Sequence, residues 1–283
     1  MSPCPVSTQT TRVPGSTPVS ASTANLGPGF DCAAVALDLW NELEVTEADE
    51  DGGLDHLGVR AFSRLASPKG KRFSFTDRIP RERGLGSSAA VIALGLVAAS
   101  VVTGRELTTE QLLAEGLELE GHGDNLAAAL AGGACLTWET RIARLADRPP
   151  AVPIALVPDA TVSTAAARDA LPEQVSHADA SFTAAHAALL GAALATGSGE
   201  LFAEALADRL HEPHRAAHAP LLEDVRGRLP SRALGATISG SGPTVVVWAR
   251  DDGVTACVAE LAERYPEVDV LPLPASPKGA HAQ

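Results

Sequence analysis

The chain has 283 residues, 45% of them hydrophobic, with 35 acidic against 22 basic residues and a formal net charge of −13. A globular protein of one large domain or two modest ones is expected, and the lack of any long basic run excludes a surface that tracks nucleic-acid phosphates. An anionic ligand must be held locally, by backbone N–H groups, a few arginines or a metal cation.

Residues 1–16 are rich in Ser, Thr and Pro and contain no continuous apolar h-region, so they read as a disordered lead-in rather than a secretory signal. Residues 276–283 read as a flexible tail. Cys4, Cys32, Cys135 and Cys257 stand singly with no CxxC pair, which argues against a zinc site or a disulfide framework and suits a reducing cytosol. The longest nearly continuous apolar run, 89–102, falls short of the ~20 residues of a membrane span. A cytoplasmic protein with no membrane partner is expected.

In chain order, 35–45 alternates roughly and reads as a strand or hairpin arm, 47–51 followed by Gly52-Gly53 as an exposed acidic turn, and 73–75 as a short strand. Residues 87–103 are apolar on nearly every face and stop at Gly104, the pattern of a buried helix closed by a glycine. Thr108 and Gln111 form a capping box for a helix running towards Glu120. Another helix starts near Asp124, which can serve as its N-cap, and ends at Gly132-Gly133. Residues 134–138 and 152–157 read as strands separated by a charged turn.

The second half, from Pro158, shows helices at 179–196, 200–210 and 220–229. Strands at 233–239 and 244–248 then flank the turn Gly240-Ser241-Gly242-Pro243, followed by a helix at 254–264 and a strand at 268–271. Strands and helices mix without regular βαβ spacing, so an α+β fold is expected, with a ligand cleft between the halves. Its divisions are 17–157 and 158–275.

The string Pro80-Arg81-Glu82-Arg83-Gly84-Leu85-Gly86-Ser87-Ser88-Ala89-Ala90 runs straight into the buried helix. Glycine-bent backbone at a helix N-terminus is an anion cradle, although serines there can equally be plain N-caps. No Lys-Ser or Lys-Thr follows the glycines, so this is not a Walker A loop. Pro80 and three charged residues stand where a dinucleotide fingerprint requires an apolar strand. No HRD-like or DFG-like pair is present, which removes the protein kinases.

The string Pro80 to Ala90 resembles the ATP loop of the GHMP small-molecule kinases. The segments 22–31, STANLGPGFD, and 235–244, GATISGSGPT, resemble the family's other two motifs in the right order. Within the family, four segments resemble the homoserine kinase branch: STANLGPGFD, 120–125 (EGHGDN), 163–168 (STAAAR) with Leu171-Pro172, and 210–215 (LHEPHR). The resemblance implies an N-terminal ribosomal-protein-S5-like domain, a C-terminal ferredoxin-like domain and transfer of the ATP γ-phosphate to L-homoserine. The product would be O-phospho-L-homoserine, on the route to threonine; a homodimer is also implied.

By the same resemblance, Arg168 and Arg215 would clamp the substrate carboxylate, and Asn25 and Asp31 would read the amino acid and its ammonium. Asn125 would lie beside the reacting hydroxyl with Asp124 close by, and Thr164 near the transferring phosphate. Ser88, rather than Ser87, and Glu120 would hold Mg²⁺. Taken singly, each has a structural alternative: Asn25 and Asp31 as turn residues, Arg168 as a surface residue, Glu120 as a helix-end carboxylate. His211, His214 and His218 have spacings that suggest a metal, but Pro213 disrupts the helix that would align them.

Three departures from the family pattern stand out: Gly123 for the usual proline, Leu126-Ala127-Ala128 for the common VAP, and His56 where an adenine-side segment usually begins with Asn. No Asp-Lys base pair can be assigned, which disfavours mevalonate as substrate. Other readings are a kinase for threonine or a related hydroxy amino acid, and a ligand-sensing homologue without catalysis.

Overall fold

The computed structural model describes residues 17–49, 53 and 55–280. The lead-in at 1–16, part of the acidic turn, and 281–283 lie outside the described residues.

A hairpin of β1 (Thr17–Asn25) and β2 (Gly29–Glu47) founds the first sheet. β1 is buried from end to end although its sequence is small and polar, TPVSASTAN. The 19-residue β2 pairs β1 on one edge, and β3 (Lys71–Thr76) and β4 (Ala134–Trp138) on the other. β5 (Arg141–Ala146) extends the sheet beyond β4, where the sequence suggested only a charged turn. Its two arginines sit on an edge strand, so neither face needs a regular apolar alternation.

Four helices pack with this sheet: α1 (Leu57–Ser63), α2 (Ser87–Thr103), α3 (Thr109–Glu120) and α4 (Asp124–Ala131). α2 buries every residue from Ala89 to Ala99, which explains its unpatterned apolar sequence, and ends on left-handed Gly104. The capping box of α3 forms: Thr108 Oγ1 accepts from Gln111 N–H (3.2 Å), and Gln111 Oε1 accepts from Thr108 N–H (2.8 Å).

The second sheet runs β7 (Ala233–Ile238), β8 (Val245–Ala249), β6 (Val152–Val157), β9 (Asp269–Pro272), all antiparallel. With α10 (Val254–Arg264) between β8 and β9, this is the split βαβ arrangement of a ferredoxin-like domain. β6 therefore belongs to the second sheet, although the sequence division at 157/158 put it in the first half. Its Ile154 and Leu156 join the apolar cluster that includes Val247 and Leu261.

Between β6 and β7 lie α5 (Thr164–Asp169), α6 (His177–Thr196), α7 (Gly199–Ala205), α8 (Glu212–Arg215) and α9 (Leu221–Gly227). α7 stops earlier than expected. Asp208 lies between it and α8, and its carboxylate receives the N–H groups of Leu210, His211 and Glu212 (2.8–2.9 Å). α6, not α2, is the one helix among the described residues long and apolar enough to cross a membrane, by length and composition only. Much of that apolar character is alanine, and the helix packs with α7 and β5.

The expected tail is docked as far as Ala280. Ser276 N–H donates to Ala36 O (2.9 Å), Gly133 N–H to Ser276 O (2.7 Å) and Ala280 N–H to Ala129 O (2.9 Å), so residues 276–280 strap β2 to the last turn of α4. Cys32, Cys135 and Cys257 carry free thiols; Cys4 lies outside the described residues.

Candidate active site

The site grows from three backbone segments that the hairpin, α2 and the second sheet bring together. Gly84 and Gly86 both adopt positive φ, +76° and +67°. A Cβ at Gly84 would lie 2.2 Å from Ser239 O, and one at Gly86 2.1 Å from Ser22 Oγ, so the loop fits only without side chains there. Ser22 N–H donates to Leu85 O (3.2 Å), Ser239 Oγ lies 2.7 Å from Gly84 O, and Arg83 Nη1 donates to Pro158 O (2.6 Å). The loop is thereby stitched to the first and third motifs and to the start of the second half.

Gly86 is the N-cap of α2, and no side chain caps that helix. The serines are therefore not capping residues: Ser87 and Ser88 are the first helical residues, and the opening N–H groups of α2 face a cavity. Leu85, Ala89 and Ala90 point into the core. Arg81 pairs with Asp77, and Glu82 O accepts from Val162 N–H (3.0 Å).

Ser88 Oγ donates to Glu120 Oε2 at 2.6 Å. Burial pushes the Glu120 carboxyl above its ordinary range, against the Ser88 bond and the nearby His122. A carboxylate and a hydroxyl meeting beside a row of N–H donors form an oxygen site suited to Mg²⁺, which uses few protein ligands when phosphates and waters complete its shell.

Asp124 is the first helical residue of α4, and its N-cap is Gly123. Asp124 Oδ1 accepts from Asn125 N–H (2.7 Å) and lies 2.9 Å from His122 Nδ1. Burial alone would lower the His122 pKa. The hydrogen bond and charge of Asp124, with the charge of Glu120, outweigh it and raise the net value. Ser22 Oγ donates to Asn125 Oδ1 (2.8 Å), and Asn125 Nδ2 stands 3.5 Å from Asp124 Oδ1. The Asp124 carboxylate can only accept, so it selects the orientation in which the Asn125 N–H₂ end faces it, and the Ser22 hydroxyl then donates to the amide oxygen.

The far end of the site is a network of ion pairs and amides. Arg168 holds Asp31 in a two-toothed pair, Nη2 to Oδ1 at 2.7 Å and Nη1 to Oδ2 at 3.1 Å. Asn25 commits both ends of its amide, Nδ2 to Gly240 O (2.8 Å) and Oδ1 to Asp31 N–H (3.0 Å). Buried Arg215 donates from Nε to Ala167 O (3.1 Å) and from Nη1 to Gly240 O (3.2 Å).

Three cavities adjoin. One of about 350 Å³ is lined by Asn41, His56, Arg81 and Val91, and by Glu82, Ser87 and Ser88. The last three also line a second, of about 210 Å³, with Glu120, Thr164 and Ser241. Thr164 and Ser241 in turn border a third, of only about 30 Å³, with Asp31, Asp124, Arg168 and Arg215. His56 caps α1 by accepting from Gly58 N–H (3.3 Å) and packs on Phe75, so it lines the first cavity in place of the usual Asn. Of the residues singled out in sequence, Asn25, Asp31, Asp124, Arg168, Arg215, Thr164, Glu120 and the loop residues Arg81, Glu82, Gly84, Gly86, Ser87 and Ser88 line these cavities, whereas Asn125 lines none of the three and is buried against Ser22 and Asp124. Sequence reasoning missed Ser22, Ser241 and the individual role of His122, although each falls within a quoted motif.

The family model for the N-terminal domain of GHMP kinases matches residues 56–133, and that for the C-terminal domain 190–267. A homoserine kinase from Gloeobacter violaceus is 41% identical over 274 residues, spanning 88% of this chain and 92% of its own. The chain belongs to the homoserine kinase family of GHMP kinases. A homoserine kinase from Streptomyces coelicolor is 42% identical over 260 residues, spanning 83% of this chain and 84% of its own. The crystal structure of a homoserine kinase from Cytophaga hutchinsonii shares the fold, with a TM-score of 0.85 over 99% of this chain and 100% of that one, at 24% identity. A mevalonate kinase from Methanococcus jannaschii shares it at 0.68 over 92% and 98%, at 14% identity. In this GHMP kinase the unusual Leu126-Ala127-Ala128 is fully buried in α4, and Gly123 O accepts from Ala127 N–H (2.7 Å).

Proposed function

We propose that this chain transfers the γ-phosphate of ATP to the side-chain hydroxyl of L-homoserine. The observation that carries the reading is the run of three adjoining cavities, each sharing residues with the next, that ends on two guanidinium groups and two carboxylates. The first suits a nucleoside, the second a polyphosphate over the N–H groups of α2, and the third the charged end of an amino acid. Homologues named homoserine kinase, at 41% and 42% identity, support the choice of acceptor.

The third cavity has room for about one water. An amino acid enters only if the Arg168–Asp31 pair opens, and its zwitterion supplies the replacement charges: the carboxylate for Arg168 and Arg215, the ammonium for Asp31. An alcohol without both charges would leave two unpaired ions behind, a cost that selects against it. Asn25 holds Asp31 and the Gly240 loop in place, and reads the substrate through them.

Mg²⁺ held by Ser88 and Glu120 would neutralise charge on the phosphates. The homoserine oxygen attacks the γ-phosphorus, the bond to the bridging oxygen of ADP breaks, and the hydroxyl proton passes to a phosphate oxygen. Asn125 donates to the oxygens at the transfer point and has no lone pair suited to take that proton. Thr164, at the junction of two cavities, donates to the moving phosphoryl group. A loose transition state needs this alignment more than a strong base.

The test is ADP release with a panel of acceptors: L-homoserine, L-threonine, L-serine and mevalonate. L-homoserine should show the highest kcat/KM by at least about tenfold, or about 1.4 kcal/mol. Equal turnover of L-threonine would move the assignment to a broader hydroxy amino acid kinase, and mevalonate as best substrate would refute it.

A further inference from the structure

We propose that His211 is a positioning residue that keeps the two arms of the amino-acid site, the Gly27 turn and the Arg215 guanidinium, in register. The proposal rests on the substrate reading above. His211 has no exposed surface and sits at the N-cap of α8. Its Nε2 lies 2.8 Å from Gly27 O, which can only accept, so Nε2 carries the proton. Its Nδ1 lies 3.4 Å from Arg215 Nη1, which can only donate, so Nδ1 carries the lone pair. One neutral tautomer satisfies both ends.

The rest of the setting holds the ring in that state. Asp208 Oδ2 receives the backbone N–H groups of His211 (2.8 Å) and Glu212 (2.9 Å), fixing the main chain. Phe30 stacks on the imidazole at 5.1 Å, and the guanidinium groups of Arg215 and Arg168 lie over the same Phe30 ring at 5.2 and 5.7 Å. Burial pulls the His211 pKa down to about 4; Asp208 and the Gly27 bond pull upwards, and Arg215 adds to the fall. With both ring nitrogens committed, His211 offers no lone pair to a metal.

The consequence is a division of labour within Arg215. Nε goes to Ala167 O and Nη1 to Gly240 O and His211, which leaves Nη2 for the substrate carboxylate. On the other arm, Gly27 has no room to shift inward, since a Cβ there would lie 2.4 Å from Leu206 O. The turn it belongs to runs between Asn25 and Asp31, so the imidazole sets the distance between the carboxylate reader and the ammonium reader.

Three substitutions separate the arms. In His211→Asn the amide oxygen stands near the place of Nδ1 and keeps the acceptor for Arg215. In His211→Gln the amide nitrogen reaches the place of Nε2 and keeps the donor to Gly27 O. His211→Leu keeps volume and neither bond. The homoserine KM should rise about tenfold or more in the Leu variant, which loses both bonds, and less in the Asn and Gln variants, which each lose one. The KM for ATP should stay within about twofold in all three.

Nitrogen NMR of the histidine-labelled wild-type protein without substrate gives a reading independent of turnover. A neutral, Nε2-protonated His211 from pH 8 to pH 5.5 is expected. If the protein does not phosphorylate homoserine, the substrate assignment fails while this spectrum still tests the tautomer. An Nδ1-protonated or charged ring in that range would overturn the proposal. So would three variants with the wild-type homoserine KM, or equal rises in KM for both substrates. Should the Leu variant fail to fold, the Asn and Gln variants decide.

Discussion

Arg168 and Asp31, 137 residues apart in sequence, clasp each other through two parallel hydrogen bonds in the lining of the third cavity. Each side chain is more than a third exposed, 37% and 36%. A pair that exposed contributes under about 1 kcal/mol to folding. Its place is therefore better explained by the ligand it awaits than by stability.

Arg168→Ala should accordingly leave the melting temperature within a few degrees of wild type, and raise the homoserine KM by about 30-fold or more, the effect of losing one partner of a charge-assisted contact. The ATP KM should change little. Steady-state kinetics with each substrate varied in turn checks both; equal loss for ATP and homoserine would remove Arg168 from the carboxylate site.

Ser22→Ala should act on turnover. Without the Ser22 hydroxyl, Asn125 Oδ1 loses its donor and the amide is no longer held with its N–H₂ end forward. A fall in kcat of about tenfold, with both KM values within about threefold, is expected from one lost orienting bond. Unchanged kcat would show that Asn125 is held by other means or plays no part.

Glu120→Gln keeps shape and removes charge. The apparent Mg²⁺ requirement should rise by at least about tenfold, with the homoserine KM unaltered. Titration of activity against free Mg²⁺ at saturating ATP is the measurement. An unaltered requirement would place the cation elsewhere.

His211 links pH to stability. Its folded pKa, about 4, lies below the ordinary 6.5, so the unfolded chain binds more protons between those values and stability rises with pH across that window. The contribution is fully present above pH 6.5 and is lost as pH falls towards 4, with an upper size of about 3 kcal/mol. Urea unfolding at pH 7 and pH 4.5 should show a smaller pH effect in His211→Gln than in wild type. Identical pH effects would mean that His211 titrates normally.

Much of the frame was legible in the sequence because it rests on local signals. The buried helix ending at Gly104, the Thr108–Gln111 capping box and the glycine turns at 84 and 86 each follow from residues a few positions apart. β1 was not legible, since Ser20, Ser22 and Thr23 are buried in a strand that shows no apolar alternation. β5 was hidden by Arg141 and Arg144, and the six-residue α5 by its shortness. The motif resemblance brought Asp31 and Arg168 to the same substrate, but no local pattern says that they bond to each other. The same holds for Ser22 and Asn125, joined across 103 residues, and for the docking of 276–280 on β2 and α4, which depends on where two distant segments end.

Phosphorus NMR of a mixture of the protein, MgATP and L-homoserine tests the central claim most directly. The γ-phosphate signal should give way to one phosphomonoester of a primary alcohol, in step with ADP, and neither should form with the hydroxyl-free analogue L-2-aminobutyrate. Persistence of ATP, or release of inorganic phosphate without the ester, would contradict the account.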